Sequence, residues 1–393
     1  MKIYIKGLNV CPLRRQNLLH YRRFLERAGH QIVCKASEGE TILVWTCGFR
    51  RDVVDNSISE LKRYSKKYPG EVIALGCLPD IDGELLRRHF KGIIVPWKRE
   101  REFLESYFHA EAGSYSESRP VFHENPICQD AAEYRRQHPD ADATFSDQFF
   151  KLLISEGCPY KCTYCTERLA FPPYRSASED RLVDVCWTSV REKGQSRIIL
   201  MADCLGRYGM DIGSNLPKLI RRLHYEYPET VYALSNLHPI DFLHFYDDMA
   251  EFLDHNWIAH LNLPIQSASD RTLSAMNRGC SRKDLDKAFG LLVNMGFRNF
   301  DTHIIVGFPG ETEADFHMTL EFLKQYRPTY ALVSKYYDTP GVASSKMDGK
   351  IDKGTMARRL KLIAKEMRGA KMAYNIDGAG LMRDRLRRIN KGE

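Results

Sequence analysis

Over the first hundred residues, short runs of consecutive apolar residues alternate with stretches whose apolar positions recur at helical spacing. Strand-like runs at 3–5, 42–45 and 72–75, with a last short one at 92–96, alternate with helical patterns at 14–28, 53–66 and 83–89. This βαβ rhythm predicts a parallel sheet. From about 110 to 146 the periodicity fades into polar residues with scattered Pro, Ser, Asp and Glu, which predicts a linker with some local helix. A second, longer alternation follows. Its strands are expected near 149–154, 197–201, 231–235, 259–263, 299–306 and 331–335, and its helices near 179–193, 215–226, 282–295 and 313–326. Six such units predict an open, partial (βα)6 barrel. The expected chain is α/β throughout: an N-terminal parallel-sheet domain over 1–110, a linker over 111–146, a partial barrel over 147–345 and a basic helical tail over 346–393.

A length of 393 residues exceeds what one hydrophobic core usually supports, in line with two domains. Hydrophobic residues at 43% and charged residues at 28% are ordinary globular values. No apolar run approaches the roughly 18 residues needed to span a membrane, and the N-terminus alternates like a strand, unlike a signal peptide. A cytoplasmic protein without membrane contact is therefore expected. Eleven cysteines in that reducing setting point to metal ligation, catalysis or burial and away from a disulfide framework. The net charge of +7 is uneven: residues 356–393 hold 11 Lys/Arg against 4 Asp/Glu, while the other 355 residues carry 47 of each sign.

The strongest chemical signal is Cys158, Cys162 and Cys165, a CxxxCxxC triplet just after a predicted strand. Thiolates suit iron-sulfur clusters, and three on one short loop can ligate three irons of a 4Fe-4S cluster, leaving the fourth open to a cofactor. A structural zinc site is the alternative, but a fourth ligand at zinc-like spacing is missing nearby. Cys11, Cys47 and Cys77 each follow one of the first three predicted strands. The ends of parallel strands lie side by side on one edge, where open α/β sheets bind ligands, so these three could hold a second cluster. Each taken alone would pass for a buried filler. Gly307 and Gly310 flank Pro309 after another predicted strand, a pattern that lets backbone approach a bound cofactor closely or simply forms a tight turn.

The CxxxCxxC spacing is similar to that of radical S-adenosylmethionine (SAM) enzymes. Preceded by a three-cysteine domain, it resembles the methylthiotransferases, which modify tRNA adenosines or an aspartate of a ribosomal protein. The stretches 263–270 (LPIQSASD), 275–279 (AMNRG) and 304–312 (IIVGFPGET) carry the likeness, which covers roughly residues 1–375. The resemblance implies a partial βα barrel, two 4Fe-4S clusters and SAM. The open iron at Cys158, Cys162 and Cys165 would bind SAM, and electron transfer from an external donor such as flavodoxin or ferredoxin would cleave it to a 5'-deoxyadenosyl radical. The cluster at Cys11, Cys47 and Cys77 would deliver sulfur drawn from a separate sulfur source. Gln266, Ser267, Gly307, Phe308, Pro309, Gly310 and Glu311 would lie near SAM.

The chain departs from the family at several positions. Asp203 and Cys204 stand where Gln and then Asn or Asp are usual, Asn262 replaces a usual His, Ala233 a usual Arg, and His303 a frequent Asp. Asp203 and Cys204 are therefore the candidate catalytic or pocket residues, Cys204 either as a filler or as a functional thiol. A C-terminal helix is expected to carry Met356, Leu360, Ile363, Met367, Ala370 and Tyr374 on its docked stripe, with Arg358, Arg359, Lys361, Lys365 and Lys371 on a solvated basic face. Only 18 residues follow Asn375, too few for the RNA-binding TRAM barrel of the family. With the neutral body, these departures lead to the expectation of a carbon-sulfur bond-forming enzyme acting on a small molecule or peptide, with nucleic acid not favoured. The alternatives are a tRNA or ribosomal-protein methylthiotransferase and a non-catalytic iron-sulfur carrier.

Overall fold

The computed structural model describes residues 1–8, 11, 13–117, 122–123, 150–192, 194–370 and 372–376, so most of the expected linker lies outside the described residues. The chain divides into two compact units. The first comprises Met1–Asp142 with Cys165–Tyr174 and Thr339–Val342, and the second comprises Ala143–Tyr164, Arg175–Asp338 and Ala343–Glu393.

In the first unit, strands β1 (Lys2–Gly7), β2 (Gln31–Val33), β3 (Thr41–Thr46), β4 (Glu71–Gly76) and β5 (Ile93–Ile94) form a wholly parallel sheet in the order β2-β1-β3-β4-β5. The strands read as unbroken apolar runs because both faces are covered. Ile3, Ile5, Leu43, Trp45, Ile73 and Leu75 enter one buried cluster, while Tyr4, Ile42, Val44, Val72 and Ala74 enter another on the opposite face. Helices Arg15–Arg27, Arg51–Lys67 and Gly83–His89 fall where the apolar spacing put them. The short β2 was not foreseen: its three residues carry too little pattern. Its pairing with β1 makes the order reverse between β1 and β3, the position at which open α/β sheets bind ligands. A two-residue strand β6 (Phe122–His123) follows.

In the second unit, all six expected barrel strands are present: β7 (Phe150–Glu156), β9 (Arg197–Ala202), β10 (Val231–Leu234), β11 (Ile258–Asn262), β12 (Phe300–Val306) and β13 (Tyr330–Lys335), with the short β8 (Arg175–Ser176) antiparallel to β7. They pair in parallel from β7 through β9, β10, β11 and β12 to β13. Their crossover helices begin with well-formed caps, and Ser281 with Asp284 and Thr312 with Asp315 each close a reciprocal capping box.

The tail differs from expectation. Its helix, Lys353–Gly369, stops earlier, and Tyr374 lies not on it but in strand β14 (Ala373–Ile376), which adds to β13 in parallel register from Tyr330↔Ala373 to Val333↔Ile376. The helix is thus a sixth crossover and buries Ile363, Ala364 and Met367. Arg359, expected in solvent, is 3% exposed. Among the described residues no helix is long and apolar enough to cross a membrane.

Candidate active site

Cys11, Cys47 and Cys77 follow the carboxyl ends of β1, β3 and β4, with Cys11 and Cys47 on either side of the point where strand order reverses. Register holds those ends level: Gly7 pairs with Trp45, Thr46 pairs with Gly76, and the Cys77 amide donates to Thr46 O at 3.0 Å. Gly76 makes this approach possible. Its φ is +95°, and a Cβ there would lie 2.5 Å from Thr46 O. The thiols feel one another. Burial, then the neighbouring Cys11, pushes Cys47 up to about 12, and burial raises Cys77 well above the usual thiol range while Arg14 pulls it down. Arg14 is buried, with its guanidinium 4.6 Å over the Trp97 ring. The desolvated Cys47 and Cys77 thiols, with a cation acting on Cys77, suit a ligand that would hold them as thiolates.

In the second unit, β7 ends at Glu156 and the cysteine loop begins at Gly157, whose amide donates to Asp203 Oδ2 at 2.8 Å. The next residue, Cys204, is buried and lies 3.9 Å from Asp241 Oδ2. A hydrogen bond between the Cys204 and Cys158 sulfurs lowers the Cys158 pKa and raises that of Cys204. Asp241 Oδ1 accepts the Tyr160 hydroxyl at 2.6 Å and pairs with Arg207 Nε at 2.9 Å. Tyr160 stacks on His238 with ring centroids 4.5 Å apart. Burial, followed by Arg278 and Arg207, pushes His238 down to about 2, so it is neutral. Asp203 and Cys204, expected as catalytic or pocket groups, thus contact the cysteine loop itself at Gly157 and Cys158.

The loop is gripped from its other side by the AMNRG turn. Thr163 N donates to Met276 O at 3.0 Å, Thr163 Oγ1 to Ala275 O at 2.9 Å and Asn277 Nδ2 to Lys161 O at 2.9 Å, while Arg278 Nη1 reaches Cys162 Sγ at 3.6 Å. Thr163 O in turn accepts Ser344 N at 3.0 Å. Cys165 completes the triplet two residues after Thr163. The sequence flagged the turn as a likeness without showing its job. Arg278 and Cys280, whose electrostatic neighbours include Cys162, were not singled out.

The residues expected near SAM divide into two groups. Gly307 and Gly310 have φ of +85° and +78°, and Gln266 has φ +70°, so this backbone takes conformations shaped for close approach. Ser267 and Glu311 instead turn their side chains into the protein. Ser267 is fully buried with its hydroxyl 3.3 Å from Thr319 Oγ1. Glu311 accepts the Gly307 amide at 2.7 Å and pairs with Arg359 at 2.9 Å, while burial raises its pKa to about 7. Glu311 thus braces the glycine loop through its Gly307 amide. Phe308 is fully buried against Tyr336. The departures Asn262 and His303 pair with each other at 3.2 Å, and burial pushes His303 down to about 4. Ala233 is fully buried in β10.

Among the described residues no group of three or more His, Cys, Asp or Glu side chains converges on a single metal ion.

A family model described as the radical SAM superfamily matches residues 152–323, and one described as uncharacterized protein family UPF0004 matches residues 3–95. The chain is 29% identical over 356 residues to a "Probable threonylcarbamoyladenosine tRNA methylthiotransferase" of Pyrococcus abyssi, covering 88% of this chain and 79% of that one. It is 26% identical over 381 residues to a ribosomal protein uS12 methylthiotransferase of Thermosipho melanesiensis, covering 92% and 82%. A solved radical SAM methyltransferase, TsrM from Kitasatospora setae with cobalamin and a [4Fe-4S] cluster bound, superposes with a TM-score of 0.63 at 13% identity, covering 87% of this chain and 76% of that one. That likeness speaks for the fold alone.

Proposed function

Because the chain belongs to the radical SAM methylthiotransferase family, we propose that it attaches a methylthio group to a modified adenosine of tRNA, with threonylcarbamoyladenosine as the nucleoside. As a member of that family it is a sulfur-inserting enzyme whose cofactors are SAM and two 4Fe-4S clusters. Cys158, Cys162 and Cys165 would hold one cluster, and Cys11, Cys47 and Cys77 the other. When bound, these groups and SAM supply a carbon-centred radical on the substrate and the sulfur that captures it.

The chain's own residues set the stage for that chemistry. Asp203 and the AMNRG turn fix the cysteine loop from two sides, and Glu311 holds the Gly307 amide so that the backbone from Gly307 to Gly310 keeps its left-handed turns. Neutral His238 under Tyr160 fills the space beside the loop without adding charge.

The substrate reading is carried by one observation: the tRNA methylthiotransferases of Pyrococcus abyssi, Pyrococcus horikoshii and Methanocaldococcus jannaschii align at 28–29% identity over about four fifths of their own length. The small-molecule or peptide substrate expected from the altered pocket positions, the short tail and the neutral body has no such support and is given up. A second reading, the ribosomal protein uS12, is favoured by relatives at 26% identity. To separate them, the anaerobically reconstituted chain is incubated with SAM, a low-potential reductant and either tRNA carrying threonylcarbamoyladenosine or uS12. A methylthiolated nucleoside in the tRNA digest supports the proposal. Modification of uS12 with tRNA untouched overturns it.

A further inference from the structure

Arg278 is 6% exposed, and its guanidinium has an unusual set of partners. Nη2 donates to Pro264 O at 2.5 Å, Nη1 reaches Cys162 Sγ at 3.6 Å, and Nε is buried without a partner. Among the described residues no carboxylate pairs with it. Burying a cation costs several kcal/mol unless an anion compensates it. The anionic groups that act most strongly on it are Tyr164, Cys162 and Cys280, and the Asp241 carboxylate feels its charge from farther off. Its charge is felt around the site: it helps to lower His238 and His303 and bears on Cys158. The AMNRG turn fixes it in place. Asn277, at φ +53°, donates to Lys161 O, and the flanking Met276 and Ala275 carbonyls accept from Thr163, so the three consecutive residues 161, 162 and 163 are all held by this turn.

We propose that Arg278 is the buried counter-charge of the iron-sulfur cluster at Cys158, Cys162 and Cys165, placed against the Cys162 sulfur to favour one-electron reduction. The proposal rests on the assignment of those three cysteines as cluster ligands. Reduction by an external one-electron donor adds one negative charge among the thiolates. A fixed cation in a low-dielectric site stabilises the more negative state more than the less negative one, and hydrogen bonds to ligand sulfurs act in the same direction. Arg278 touches the ligand and not the reacting carbon, so it is a positioning and tuning residue.

The test uses the full chain with C11A/C47A/C77A, so that only the barrel cluster contributes, reconstituted anaerobically and titrated with dithionite under electron paramagnetic resonance. Iron content is measured on the same samples, and R278K, R278Q and R278M are compared with Arg278. The expected result is about four irons per chain throughout. R278K should reduce like the parent, whereas R278Q and R278M should need a potential lower by about 59 mV or more, a tenfold or greater loss of reduced fraction. Loss of the cluster from both uncharged variants with full loading of R278K also supports the counter-charge, since lysine keeps the positive charge of arginine without its planar guanidinium. Unchanged potentials in R278Q or R278M overturn the proposal, as does an equal shift or equal iron loss in all three variants, which would assign Arg278 to shape alone. If the parent with Arg278 intact binds no cluster, the ligand assignment itself has failed, and this proposal fails with it.

Discussion

Arg359 Nη1 lies 2.9 Å from Glu311 Oε2, and the same carboxylate oxygen accepts the Gly307 amide at 2.7 Å. A side chain of the last crossover helix thereby fixes the glycine loop at the ends of the barrel strands. Arg359 and Glu311 are 3% and 4% exposed, so R359M strands a buried carboxylate, at a cost of about 3–5 kcal/mol. E311M/R359M should recover most of that. Burial already raises Glu311 toward 7 from an unfolded value of 4.5. A native state that holds its proton more tightly than the unfolded chain loses stability as pH rises through that window. R359M should therefore be hurt more at about pH 8 than at about pH 5 in urea unfolding of the apoprotein; an equal loss at both would mean that Glu311 does not depend on Arg359.

His238 supplies the opposite slope. Burial pushes it down to about 2, and its Nδ1 accepts Ile240 N at 3.2 Å. Below the unfolded value of about 6.5, the unfolded chain takes up a proton that the native chain refuses. Stability is full above that value and is lost as pH falls, by up to about 1.4 kcal/mol per unit from this residue. H238N keeps the N-cap acceptor and removes the titration, so its stability should fall less steeply between about pH 6 and pH 4. Matching slopes for the two proteins would show that His238 is not held neutral.

Gly307 tests the loop from the other direction. An alanine Cβ there would lie 2.6 Å from Met356 Cε, but that atom ends a flexible side chain and can move away. The φ of +85° cannot be relieved so easily, and the left-handed conformation costs an L-residue about 1–2 kcal/mol. G307A should lower stability by roughly that amount and weaken SAM binding, and G307A/M356A should not restore either. Full rescue by the second change would assign the glycine to packing instead of conformation.

Two thiol triplets call for about eight iron atoms per chain after anaerobic reconstitution. C158A/C162A/C165A and C11A/C47A/C77A should each keep roughly half of that by iron assay. Full iron in the first, or full iron in the second, would remove the corresponding cluster from the account.

Much of this was written in the sequence at positions where one physical cause acts alone. The fully covered strands 42–45 and 72–75 read as apolar runs, and Cys47 and Cys77, each two residues past one of them, fall at the same edge of a parallel sheet. What escaped depended on distant partners. β2 and β14 are three and four residues long and are strands only because β1 and β13 lie beside them. Arg359 looked like one more charge on a basic helix, since nothing local shows that Glu311 waits 48 positions earlier. Asp203 and Cys204 stood out as unusual, yet their contacts with Gly157 and Asp241 decide that they bear on the cysteine loop.

The central claim is that the two sheet edges divide the labour, with the barrel cysteines serving SAM cleavage and the N-terminal cysteines serving sulfur transfer. Cys47→Ala, reconstituted with SAM, reductant and tRNA carrying threonylcarbamoyladenosine, measures it most directly when 5'-deoxyadenosine and methylthiolated nucleoside are quantified in the same reaction. The account predicts 5'-deoxyadenosine close to the wild-type level and no methylthiolated product. Wild-type product formation by a variant shown to lack its N-terminal cluster, or loss of 5'-deoxyadenosine together with product while the barrel cluster stays intact, would contradict it.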